Sequence, residues 1–87
     1  MELVDEIRRF VFENYLKPAQ KQGKTQVVVT SGEVHSRMGL KNCMPAVCNA
    51  LRREKFQVDY NIELVQEVRL PTVKGDSSTN KFIFKIL

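Results

Sequence analysis

Three side chains in this 87-residue chain have reactivity of their own: the thiols of Cys43 and Cys48 and the imidazole of His35. A thiolate is a nucleophile and a metal ligand, and imidazole is a ligand and a proton carrier near neutral pH. Their spacing works against each use. Five residues apart on one helix, the two thiols point about 140° away from each other, so a disulfide between them requires unwinding. No Cys-x-x-Cys pair is present, and a metal shell built from a cysteine and His35 needs a borrowed ligand at no recognised zinc spacing. His35 has no carboxylate three or four residues away to make it a general base and reads as a surface or partly packed residue. Cys43 reads as a small core residue, and Cys48, nearer the open edge of the same helix, as the redox-accessible thiol. Gly23-Lys24-Thr25 has the look of the end of a phosphate loop, but it lacks the upstream glycines and precedes a strand, where such a loop must follow one. No paired carboxylates mark a cleft. The chain is therefore expected to be no enzyme, with no metal, no cofactor and no small-molecule ligand.

Binding chemistry is concentrated instead between Asn42 and Lys55. At about 100° per residue, a helix over 42–55 centred inward on Val47 turns Ala50 and Leu51 to the core, with Cys43 and Met44 close by. Its other face gathers Asn42, Pro45, Asn49 and Arg52, with Arg53 and Cys48 at the edges. Arginine bonds two acceptors of guanine, asparagine pairs with adenine through both atoms of its amide, and both hold phosphates. A solvated helix face has the same composition. Lys41, in the turn before this helix, suits a phosphate. So do the backbone N–H groups of Ser31 and Gly32 at the start of the preceding helix, and the Arg37 side chain near its end.

These residues need elements to place them. Leu3, Ile7, Phe10, Val11 and Tyr15 recur at helical spacing, with Asp5 and Glu6 in the first turn, where the helix dipole favours acids. Pro18 predicts an end to this helix near Lys17. Val27 to Val29, flanked by Thr25 and Thr30, predict a short strand. Thr30 and Glu33 match a capping box for a helix over about 31–38, with Gly39 as its stop. Asn42 is the candidate cap of the next helix, in whose first turn Pro45 is tolerated because those N–H groups have no helical partner. Then the period changes to two. Ile62, Leu64, Val68 and Leu70 share one side, Glu63, Glu67 and Arg69 the other, and Val65-Gln66 breaks the alternation. Phe82, Phe84 and Ile86 form the next strand, after a polar loop at 71–80 that carries Lys74.

Composition agrees with one small folded domain over residues 1–87. The chain is 43% hydrophobic and 28% charged, and no apolar run approaches a membrane span. The acidic, amphipathic start is not a secretory signal, and two cysteines make no disulfide scaffold, so a cytoplasmic protein with free thiols is expected. Net charge is +4 and unevenly spread: residues 1–16 carry four acids against two arginines, and everything after them is basic. A polyanion would meet the later segments.

The order helix, strand, helix, turn, helix, strand, loop, strand resembles that of winged helix-turn-helix DNA-binding domains over nearly the whole chain. The segment Gly39 to Leu51, Gly-Leu-x-Asn-x-Met-Pro-x-Val-Cys-x-Ala-Leu, is similar to one in a group of small prokaryotic proteins. The resemblance implies an α+β fold with three helices, a short strand between the first two, and a C-terminal hairpin wing. It also implies a regulatory role in binding double-stranded DNA with the third helix in the major groove, with a homodimer on paired half-sites expected. The implied contacts are Ser31, Arg37, Lys41, Asn42, Pro45, Asn49, Arg52, Arg53 and, in the wing, Lys74. The alternative is a winged-helix module that binds protein within a larger assembly.

Overall fold

The computed structural model describes residues 2–69 and 78–87. It is α+β. A long helical run and three shorter helices pack on one face of a three-stranded antiparallel sheet. The run begins as α1 (Leu3–Val11), which buries Ile7 and Val11 completely. It does not stop before Pro18 as the sequence suggests. A π-helical turn over Phe12–Leu16 intervenes, closed by the bond from the Lys17 N–H to the Phe12 carbonyl, and α2 (Lys17–Lys21) continues. Proline lacks an N–H and crowds the carbonyl four residues back; the wider turn resets the ladder so that Pro18 falls in the first turn of α2. Gly23, at φ +73°, ends the run: its N–H bonds Gln20 and that of Lys24 bonds Ala19, the paired bonds of a glycine C-cap. Gly39 closes α3 with the same pair, as its position suggests: its N–H bonds Ser36 and that of Leu40 bonds His35.

Strand β1 (Gln26–Thr30) leads directly into α3 (Ser31–Arg37). The capping box expected of Thr30 and Glu33 does not form. The Ser31 N–H donates to the Asn80 carbonyl and the Gly32 N–H to the Ser78 carbonyl, each at 2.9 Å, so tertiary partners satisfy the helix start. Glu33 turns instead to Tyr15 and Arg37. Asn42 is not the cap of α4 (Met44–Arg52). It lies in the turn at φ +54°, and Cys43 occupies the cap position. The Cys43 N–H is held by His35 Nε2 at 3.2 Å.

Nor does that helix run on to Lys55. Arg53 is extended (φ −72°, ψ 142°), and a fourth helical unit, α5 (Glu54–Tyr60), follows. In an unbroken helix Phe56 would point about 180° from Val47, into solvent. The break turns it inward, fully buried, against Phe84 (5.4 Å between ring centroids) and Tyr60 (5.4 Å).

Asn61, left-handed at φ +54°, starts β2 (Ile62–Val68), and β3 (Lys81–Ile86) returns between the other two, giving the order β1-β3-β2. Phe82 and Phe84 on the central strand are fully buried with Val29, Val34 and Leu51. A β-bulge between Leu64 and Gln66 falls where the sequence alternation breaks. Past it, Glu67 stands opposite Phe82, on the inner face, and Val68 opposite Lys81, on the outer one. This reverses the sides expected for those two residues, because one extra residue shifts a period-two pattern by one. The expected strand position of Leu70 and the wing residue Lys74 lie outside the described residues.

Candidate nucleic-acid interface

The nine residues expected to contact DNA divide into those whose donors the fold uses and those it leaves at the surface. Ser31 is fully buried, and its N–H and that of Gly32 are taken by the chain entering β3. The α3 start is therefore not an open phosphate site. A β-carbon on Gly32 would lie 2.6 Å from the Ser78 carbonyl oxygen, which measures how closely that chain approaches. Arg37 lies between two rings, its guanidinium carbon 5.5 Å from the Phe10 centroid and 5.2 Å from that of Tyr15, and it pairs with Glu33 at 3.8 Å. Tyr15 donates to the same carboxylate at 2.8 Å, and burial pushes its phenol up from the ordinary value against the lowering effect of Arg37. Arg37 thus fastens α3 to the first helical run.

Arg52 departs most from expectation. Its guanidinium does not extend from the outer face of α4. It reaches sideways to β2 and makes two bonds to Glu67, Nε to Oε1 at 3.0 Å and Nη2 to Oε2 at 2.8 Å. Arg69 joins the same Oε2 at 2.8 Å. The side chains of Arg52 and Glu67 are 28% and 16% exposed, so the pair is partly shielded. The Arg52 guanidinium holds the Glu67 carboxyl below the usual carboxylate range; burial opposes this and Arg69 adds to it.

Lys41, Asn42, Pro45 and Arg53 are exposed, and Asn49 is half-buried between the arginines. Lys41 and Arg53 form no ion pair among the described residues. They stand at opposite ends of α4, Lys41 in the turn before it and Arg53 at the break after it. Beside Arg53 an open groove of about 540 Å³ is lined by Val4, Arg8, Asn49, Glu54 and Lys55. Of these, Arg8 is the buried one. Although only 7% exposed, it donates from Nε to the Ala50 carbonyl at 3.0 Å and so ties α1 to the last turn of α4.

The cysteines exchange their expected places. Cys48 is fully buried, 3.9 Å from Asn80 Nδ2, while Cys43 is half-exposed with its thiol 3.0 Å from the Lys41 carbonyl. The reason is that Cys43 precedes α4 at its cap position (φ −116°, ψ 21°), so the helical projection does not apply to it, while Cys48 within the helix meets Asn80 of the chain entering β3. No group of three metal-ligating side chains occurs among the described residues.

Sequence reasoning missed Glu67 and Arg8. Glu67 had one visible signal, the broken alternation at Val65-Gln66, which shifts the parity of everything after it. Arg8 had none, since its partner is a backbone carbonyl 42 residues away. Comparison of the chain with family models, curated proteins and solved structures returned no match. No described helix is long and apolar enough to cross a membrane.

Proposed function

We propose that this protein binds double-stranded DNA as a winged helix-turn-helix module, with α3 and α4 as the helix-turn-helix, β2 and β3 as the wing and α4 entering the major groove. The element order and the sheet order β1-β3-β2 support this reading. The observation that carries it is the outward side of α4 and the turn before it: Asn42 in the turn, Pro45 and Asn49 on the helix, bracketed by Lys41 and Arg53, with Lys55 beyond. A cation at each end of a helix that fits a major groove about 12 Å wide suits the two phosphate strands on either side. Arg52, engaged by Glu67, is removed from the contact set. The test is a mobility shift on duplex DNA at about 150 mM salt with a salt titration. Lys41→Ala and Arg53→Ala should each reduce the log–log slope by roughly 0.9. No shift at that salt would reject the reading.

A second reading, a winged-helix module that docks protein, draws on β1. Thr25 accepts from the Ile86 N–H and Ser31 donates to Asn80, so odd-numbered residues of this strand bond β3. The backbone groups of Gln26, Val28 and Thr30 therefore face the free edge, which carries no charge, whereas the β2 edge carries a bulge and Glu63. An absent mobility shift together with a captured extended peptide would favour this reading.

A further inference from the structure

A three-residue relay runs from the wing to the outer face of α4. Glu67 accepts from Arg52 Nε and Nη2, and the remaining terminal nitrogen, Nη1, donates to Asn49 Oδ1 at 3.0 Å. Guanidinium nitrogens only donate, so the atom of Asn49 that faces Arg52 must be its oxygen; the amide assignment follows from its partner. A planar amide that turns its oxygen to Arg52 turns its NH2 group away from it. Asn49, half-buried, lies in the second turn of α4 on the side opposite Val47.

We infer that Glu67, acting through Arg52, is a positioning residue that presents Asn49 to DNA as a donor, and so sets a preference for guanine over adenine at one base pair. The inference rests on the DNA-binding reading above. An asparagine that reads adenine must accept from N6 and donate to N7 with the same amide. Here one of the two lone pairs of the accepting atom is engaged by Arg52 inside the protein, so acceptance from adenine N6 competes with that bond. Guanine presents two acceptors, O6 and N7, and takes donors alone. Glu67 suits the positioning role because two arginines converge on it and its carboxylate is only 16% exposed, so Arg52 is held at two points. The bulge between Leu64 and Gln66 brings it to the inner face at that position.

The test uses the full chain and a random-sequence duplex pool, followed by single-base substitutions in the selected duplex. Wild-type protein should enrich guanine at one position by roughly tenfold over adenine. Asn49→Ala should lose that preference. Glu67→Gln and Arg52→Met should flatten it or shift it toward adenine, with the salt slope of binding kept, since neither residue is placed on a phosphate. Amide NMR of the free protein gives a readout that needs no DNA: the Asn49 side-chain NH2 signals should move in Arg52→Met and in Glu67→Gln. An unchanged base preference in both relay variants overturns the inference and leaves DNA binding standing. So does a slope reduced by roughly 0.9 in Arg52→Met, which would make Arg52 itself a phosphate contact. Wild-type protein that enriches nothing and shifts no duplex overturns the inference and the DNA reading together. If Glu67→Gln unfolds, Arg52→Met carries the same decision.

Discussion

Arg52 and Glu67, fifteen residues apart in the chain, meet through two parallel hydrogen bonds of 3.0 and 2.8 Å and join the last turn of α4 to the inner face of β2. A two-point guanidinium–carboxylate contact fixes orientation as well as distance. It replaces the outward-facing arginine that a simple helical projection gives, and it leaves Arg53 as the exposed guanidinium at that end of α4.

The first prediction concerns acid. Glu67 is held below its ordinary value chiefly by Arg52, so its folded-state pKa lies under its unfolded one. The stability it contributes is complete above the ordinary glutamate range and is lost as pH falls through the lowered folded-state value. Glu67→Gln should therefore be less stable than wild type at neutral pH, and the gap should close in acid. Urea midpoints measured from neutral pH downward check this; a gap constant with pH contradicts it.

Gly32 and Gly39 should fail for different reasons. Gly32→Ala places a β-carbon 2.6 Å from the Ser78 backbone oxygen and must displace the chain entering β3, at a cost of about 1–3 kcal/mol. Gly39→Ala meets nothing within 4 Å, yet its φ of +67° costs about 1 kcal/mol. Gly39→Asn should recover part of that loss while Gly32→Asn should not, as thermal melts of the four variants would show.

Arg8→Met keeps much of the side-chain bulk and removes the bond to the Ala50 carbonyl, leaving a buried acceptor unmatched. A loss of about 1.5–3 kcal/mol is expected. Arg9→Met removes only the exposed i,i+4 pair with Glu13 and should cost about 0.5 kcal/mol or less. Equal losses in denaturant titrations would contradict the role given to Arg8.

His35→Ala deletes the acceptor for the Cys43 N–H at the start of α4. The expected cost is about 1 kcal/mol, the usual value of a helix N-cap. Hydrogen exchange should quicken first at the Cys43 amide, and unchanged exchange there would show that the bond contributes nothing.

In the native protein a thiol reagent should modify Cys43 and spare Cys48, since Cys48 is fully buried. Cys43→Ser should abolish fast labelling and Cys48→Ser should retain it, as read by intact mass.

By itself the sequence determined the period of each segment, and with it most of the core. Ile7, Val11, Val47, Leu51, Phe82 and Phe84 recur at the helical or strand spacing that buries them, and Gly39 is where its conformation permits a stop. Helical and pleated periodicities are local properties, so they can be read without a partner. Only the tertiary structure decided which donors remain free. Pro18 stays inside a helix because a π turn absorbs it, the start of α3 is satisfied by Asn80 and Ser78, and the chain breaks at Arg53 so that Phe56 can reach Phe84. Arg52 turns to Glu67 because a bulge moved that carboxylate to the inner face. Each of these outcomes matches a polar group or ring to another far along the chain, and such a pairing is a property of the packed molecule, not of any segment read alone.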